Sequence, residues 1–208
     1  MIATLRMMAI FALLAIPAGV AAQDQTDDTE VPAGDGNEAS ESGLSMGSPE
    51  GDSGEPQVGQ TYVADEFGDW QLRCIKSETE KEPCQLYQLL VDAQGNSVAE
   101  FSFFDLPDGG QAVAGATIVT PLETLLTAEL RLQVDSGTAR RYAYSFCSQI
   151  GCFARVGFTQ GEVDAFKAGN AATVSIVPAS APKEVVALRL SLSGFTAGVN
   201  ALTAVSAE

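Results

Sequence analysis

From Phe67 onward, apolar and polar side chains exchange places along the chain with periods that predict its elements. Trp70, Leu72 and Cys74 alternate with Gln71 and Arg73, the two-residue period of a strand with one buried face. Phe67-Gly68-Asp69 is the turn leading into it, and we place the start of the fold here. Cys84 to Val91 reads as a leucine-rich second strand. After the turn cluster Asp92 to Asn96, Val98 to Phe104 reads as a third, so the two form a hairpin. Leu106-Pro107-Asp108-Gly109-Gly110 breaks the chain before a strand of small and β-branched residues, Ala112 to Val119. Pro121 to Leu126 is apolar without a period and reads as a crossing loop.

Leu130, Leu132 and Val134 alternate with Arg131 and Gln133, and Asp135-Ser136-Gly137 turns the chain into a return strand from Ala139 to Cys147. That strand sets Arg140, Tyr142, Tyr144 and Phe146 on one face, a row that suits either a recognition surface or burial with Arg140 reaching back to water. Ser148 to Gly151 is a tight connection into a strand ending at Phe158. Thr159-Gln160-Gly161-Glu162 matches a capping box and Gly169 supplies a stop, so a helix lies between them. Thr173 to Val177 and Glu184 to Leu192 are strands around a proline-bounded turn, and Phe195, Val199 and Leu202 share one side of a short closing helix. Short strands at roughly ten-residue spacing predict an all-β fold. We read residues 59–208 as a single antiparallel β-sandwich with one or two short helices, stabilised by disulfides.

The first 58 residues follow different rules. Arg6 precedes an apolar run from Met7 to Ile16, then Pro17 and the small residues Val20-Ala21-Ala22, so residues 1–22 read as a signal peptide. Residues 23–58 form an acidic spacer rich in Gly, Ser and Pro, with ten carboxylates between Asp24 and Gln57 and no cation or aromatic. Such a segment buries too little apolar surface to offset the ordering of its backbone, and we expect it to be disordered. It supplies −10 of the net charge of −16 and Arg6 supplies +1, leaving −7 on residues 58–208. An acidic domain without a basic run gains nothing from counterion release, which argues against nucleic acid or anionic lipid as a partner.

Four cysteines in an exported chain allow three pairings. Proximity favours Cys74 with Cys84 and Cys147 with Cys152, contributing roughly 3 and roughly 2 kcal/mol in the chain-entropy account. Neither spacing is that of a zinc knuckle or redox motif, and the chain has no histidine. The same lack removes the commonest general base. Carboxylates remain: Asp105 with Asp108, and Asp65, Glu66 and Asp69, which would serve a glycan hydrolase or a calcium site. We read both clusters as solvated loop residues, and Trp70 as core rather than a sugar-stacking ring.

Phe67-Gly68-Asp69-Trp70 leading to Cys74, Cys84 with Gln88, Pro121-Leu122, Leu132-Gln133-Val134-Asp135, Cys147 with Gly151-Cys152, and Ser191-Leu192-Ser193-Gly194-Phe195 form a combination. In order and spacing, from Phe67 to Leu202, it resembles the invasion-associated locus B proteins of alphaproteobacteria. The acidic spacer and Glu123, where that family tends to have glycine, depart from the pattern. The resemblance implies an exported β-sandwich of the bacterial envelope, in a family named for a member linked to host-cell invasion. Our reading is a periplasmic, outer-membrane-associated or secreted protein that is not an enzyme. It needs no cofactor or metal, and binds an unidentified envelope or host protein. The alternatives are a periplasmic hydrolase acting through loop carboxylates and a purely structural envelope protein.

Overall fold

The computed structural model describes residues 55–79, 81–106 and 110–207. The signal peptide, the spacer as far as residue 54, and Asp108 lie outside the described residues. Among the described residues the strands are β1 Thr61–Phe67, β2 Trp70–Ile75, β3 Cys84–Val91, β4 Ser97–Asp105, β5 Ala114–Thr120 and β6 Leu130–Val134. They continue with β7 Arg140–Tyr142, β8 Phe146–Ser148, β9 Gly151–Phe158, β10 Ala171–Ile176 and β11 Val186–Ser191. Two α-helices complete the chain, α1 Gln160–Ala168 and α2 Phe195–Ala207.

The strands join in one antiparallel sheet of order β7-β6-β10-β11-β3-β4-β5-β9-β8, from which β2 branches at β3 and carries β1. The sheet curls until β7 approaches β9, and the inward side chains of all its parts merge into a single apolar cluster. Six aromatic rings form the middle of that cluster. Trp70 meets the edge of Phe101 at 5.9 Å and leans on Phe195 at 5.2 Å. Phe195 in turn packs edge-on to Phe103 at 5.1 Å and against Phe166 at 5.5 Å. Phe158 closes the group beside Phe103 and Phe166. The two helices thus insert one phenylalanine each into the sheet's concave side, and burying each such ring is worth about 1.5–3 kcal/mol.

Alternation predicts these strands well wherever one face is core. Trp70, Leu72 and Cys74 are buried as the period requires, and the capping box at Thr159 forms, with Glu162 Oε2 accepting the Thr159 N–H at 2.8 Å. Two elements differ from expectation. A strand not expected, β1, leads up to Phe67 within the domain read from residue 59, and it forms because it pairs with β2 along its whole length. Most of β1 is exposed, so it has no buried face to impose a period. The expected return strand from Ala139 to Cys147 is broken in two. Arg140–Tyr142 stays beside β6, and the chain then crosses to β9, where Phe146–Ser148 pairs.

The crossing divides the aromatic row. Tyr142 and Tyr144 are half-buried, whereas Phe146 is exposed and stacks on Phe153 at 4.6 Å with the Arg155 guanidinium 5.4 Å from its ring. Burial pushes the hydroxyls of both Tyr142 and Tyr144 above their ordinary pKa.

Candidate functional site

The branch at β3 creates the site. β2 pairs with β3 only over Cys84 to Tyr87, and β11 meets it only at Val91 opposite Arg189. Between those contacts Gln88, Leu89 and Leu90 have no partner residue on that side, and the two neighbouring strands splay apart. The gap is bridged by a side chain. Gln88, buried on the inward face of β3, accepts the Ser191 N–H at 2.7 Å and donates from Nε2 to the Ser191 carbonyl at 3.1 Å. Its amide does for Ser191 what a neighbouring peptide group would do. The Trp70 indole N–H donates to the same carbonyl at 2.9 Å, so β2, β3 and β11 are tied at one atom.

A glutamine between Leu86 and Leu90 on the inward face of a strand was the signal for this junction, since a polar group there must have partners. Replacing Gln88 with leucine keeps the volume but strands the buried Ser191 N–H. We expect a loss of about 2 kcal/mol, within the range for an orphaned buried donor, read as a lower urea midpoint at unchanged slope. Equal stability would mean that the splayed strands are held by other contacts.

Neighbouring turns lock the junction. The β1–β2 turn uses Gly68 at φ 59°, and Asp69 N–H donates to the Ser193 carbonyl at 3.2 Å. Three of the sequence landmarks given above, Phe67 to Trp70, Gln88 and Ser191 to Phe195, therefore converge on one piece of architecture.

On the outer face above it lies a cleft of about 520 Å³. Its walls include Glu66, Gln71, Arg73, Tyr87, Leu89, Val91 and Arg189. A polar chain orders one wall. Gln71 Nε2 donates to Glu66 Oε1 at 3.0 Å, and Gln71 Oε1 accepts from Arg73 Nε and Nη2 at 3.0 and 2.8 Å. The guanidinium so held lies 3.3 Å from the centre of the Tyr87 ring, a cation–π contact. Burial, helped by Glu100, pushes the Tyr87 hydroxyl up, and the Arg73 charge offsets part of that rise. The other wall is open: Leu89 and Val91 are 45% and 37% exposed, and Arg189 forms no ion pair among the described residues.

The four cysteines sit away from the cleft's open wall. Cys74 is joined to Cys84 across β2 and β3, and Cys147 to Cys152 across β8 and β9. Neither pair is available as a thiol, and no cysteine among the described residues is free. In the loop that the first bond closes, Glu82 bridges the Tyr62 hydroxyl and Lys76, 2.8 Å away. The Lys76 contact, then that of Tyr62, holds the Glu82 carboxyl below its ordinary value.

Three of the carboxylates considered for hydrolysis, Asp105, Asp65 and Glu66, are engaged within the protein, and Asp69 lines the cleft. Asp105 accepts the Ser206 hydroxyl at 2.9 Å, fastening β4 to the end of α2. Asp65 accepts the N–H of Glu66, while Glu66 is part of the cleft wall. No three cysteine or carboxylate side chains among the described residues gather into a metal-holding group. No helix among them is long and apolar enough to cross a membrane.

Residues 70–203 match the family described as Invasion associated locus B (IalB) protein. Invasion protein B homologs from two strains of Brucella abortus, strain 2308 and biovar 1 strain 9-941, are each 26% identical over 149 residues, covering 71% of this chain and 83% of theirs. The crystal structure of invasion associated protein B from Bartonella henselae is similar in fold, with a TM-score of 0.59 and 26% identity over 72% of this chain and 99% of that one. The order of landmarks, the curled antiparallel sheet with two helices, and a match over most of the described residues agree, and the chain belongs to the invasion associated locus B family.

Proposed function

We propose that this protein is an exported, non-catalytic binding protein of the cell envelope, and that the cleft at the sheet branch takes a segment of an envelope or host protein. The observation that carries this reading is the open wall. Leu89 and Val91 present apolar surface next to the uncommitted cation Arg189, while Tyr87, in the same row of β3, is covered by an Arg73 already held by Gln71 and Glu66. Pre-ordered polar groups beside exposed aliphatics lower the ordering cost of association. They also supply the mixed apolar and cationic contacts that dominate binding energy at interfaces. The names of the Brucella and Bartonella relatives support a role in invasion. The two disulfides support residence in an oxidising compartment, which for an exported bacterial protein is the periplasm or beyond.

The test is in-cell crosslinking of the tagged protein, capture from the envelope fraction, and identification of what is bound. We expect a near-stoichiometric protein partner whose recovery falls at least tenfold when Leu89→Asp and Arg189→Glu are combined, at unchanged melting temperature. Recovery that ignores this change would remove the cleft from the reading. Asp105→Asn should leave capture intact, and glycan turnover by the parent protein that this change abolishes would establish the hydrolase instead.

A further inference from the structure

A second cavity, of about 320 Å³, opens between the β6–β7 hairpin and α1 and shares no lining residue with the cleft. Its walls include Leu132, Val134, Tyr142, Phe158 and Phe166, of which Leu132, Phe158 and Phe166 belong to the buried core. The cavity therefore reaches the aromatic cluster itself.

The sequence of α1 explains why this space is left. Glu162, Ala165, Phe166 and Gly169 follow one face of the helix at the spacing of successive turns, and all four line the cavity. Gly169 lets the helix end approach closely, since a Cβ there would come within 2.7 Å of Val134 Cγ1 and 2.9 Å of Leu192 Cδ1. At the other end the Arg140–Glu162 ion pair, 2.8 Å long, fixes the helix to β7. Between these two anchors Ala165 is too small to fill the gap.

Charge at the rim is matched within the protein. Glu162 receives Arg140 on Oε1 and the Thr159 N–H on Oε2. Asp135 accepts the N–H groups of Asn170 at 3.0 Å and Ala171 at 3.1 Å. The rim holds one cation against two carboxylates, so an anionic ligand gains no net countercharge there, whereas an uncharged one gains apolar burial and ring contacts. The volume stands at the lower end of the range for ligand pockets, roughly 300 to 1,000 Å³. At about 30 Å³ for each water-sized unit it holds about ten heavy atoms.

We infer that this cavity is a binding site for a neutral, apolar small molecule the size of one bicyclic ring, seated against Tyr142, Phe158 and Phe166. Such a site adds a ligand function to the partner binding proposed for the cleft, and neither depends on the other.

Indole is a neutral probe of the right size, and indole-3-carboxylate presents nearly the same ring with a charge. Titrating each into the mature protein while following methyl resonances should show saturable shifts with indole at Leu132 and Val134. The carboxylate should bind at least tenfold more weakly. Ala165→Phe fills the space from the exposed side of α1 and should weaken indole at least tenfold, while the Leu89→Asp, Arg189→Glu variant should bind it as the parent does. Ala168→Leu serves as a second plug if Ala165→Phe does not fold. An absence of saturable shifts, equal binding by the plugged proteins, or equal affinity for the carboxylate would each overturn the assignment.

Discussion

Trp70→Ala should cost about 3–5 kcal/mol, the range for removing a fully buried large aromatic, and is expected to unfold much of the population at physiological temperature. Three contributions add up at this position. The side chain has no exposed surface, so its removal leaves a cavity in the middle of the core. It contacts both Phe101 and Phe195, and aromatic pairs contribute about 0.5–1.5 kcal/mol beyond burial. Its indole N–H is one of the two donors to the Ser191 carbonyl. Because Trp70 is the only tryptophan, the substitution removes tryptophan fluorescence, and unfolding is followed by circular dichroism.

Trp70→Phe separates these contributions. It keeps a ring between Phe101 and Phe195 and loses the N–H, but Gln88 Nε2 still donates to the Ser191 carbonyl. The loss should therefore be clearly smaller, about 1–2 kcal/mol for the hydrogen bond together with the missing ring volume. A Trp70→Ala protein within about 1 kcal/mol of the parent would show that the branch is not built on this side chain.

The contrast between Trp70 and Gln88 also explains what the sequence could and could not reveal. Trp70, Leu72 and Cys74 announce a strand because burial of one face writes a period of two into the chain. α1 is legible because its capping box is a local contract between Thr159 and Glu162. Gln88 obeys neither kind of rule. Its partner, Ser191, is 103 residues away, and only the branching of β2 and β11 from β3 gives the amide its task. For the same reason β1 escaped detection, since a mostly exposed strand is specified by its neighbour's register and not by its own pattern. The Arg140 to Phe146 row shows the opposite error. Its alternation is real, but the two halves serve different partner strands, and a period cannot report a change of partner. The cleft lay beyond such reasoning because it is a space left where nonlocal pairings end, and the cavity because it depends on how α1 is set against the β6–β7 hairpin.

The second large effect concerns a glycine. Gly194, in the turn between β11 and α2, has φ 85°, and a Cβ built there would lie 2.0 Å from the Phe67 carbonyl oxygen and 2.4 Å from its carbon. Both obstacles are backbone atoms of the β1–β2 hairpin, so no rotamer change relieves the overlap. The turn carrying Phe67 and Gly68 would have to retreat, and the Asp69 N–H bond to Ser193 would go with it. We expect Gly194→Ala to cost about 3 kcal/mol, combining the 1–2 kcal/mol of a left-handed alanine with the 1–3 kcal/mol of overpacking. Gly59→Ala is the matching control, since Gly59 has φ 86° and nothing within 4 Å of its virtual Cβ. The difference between the two urea midpoints, multiplied by their common slope, measures the clash alone. If Gly194→Ala were no worse than Gly59→Ala, the β1–β2 turn would be free to move away from the β11–α2 turn. The cleft above it would then lose the rigid wall on which its proposed partner contacts depend.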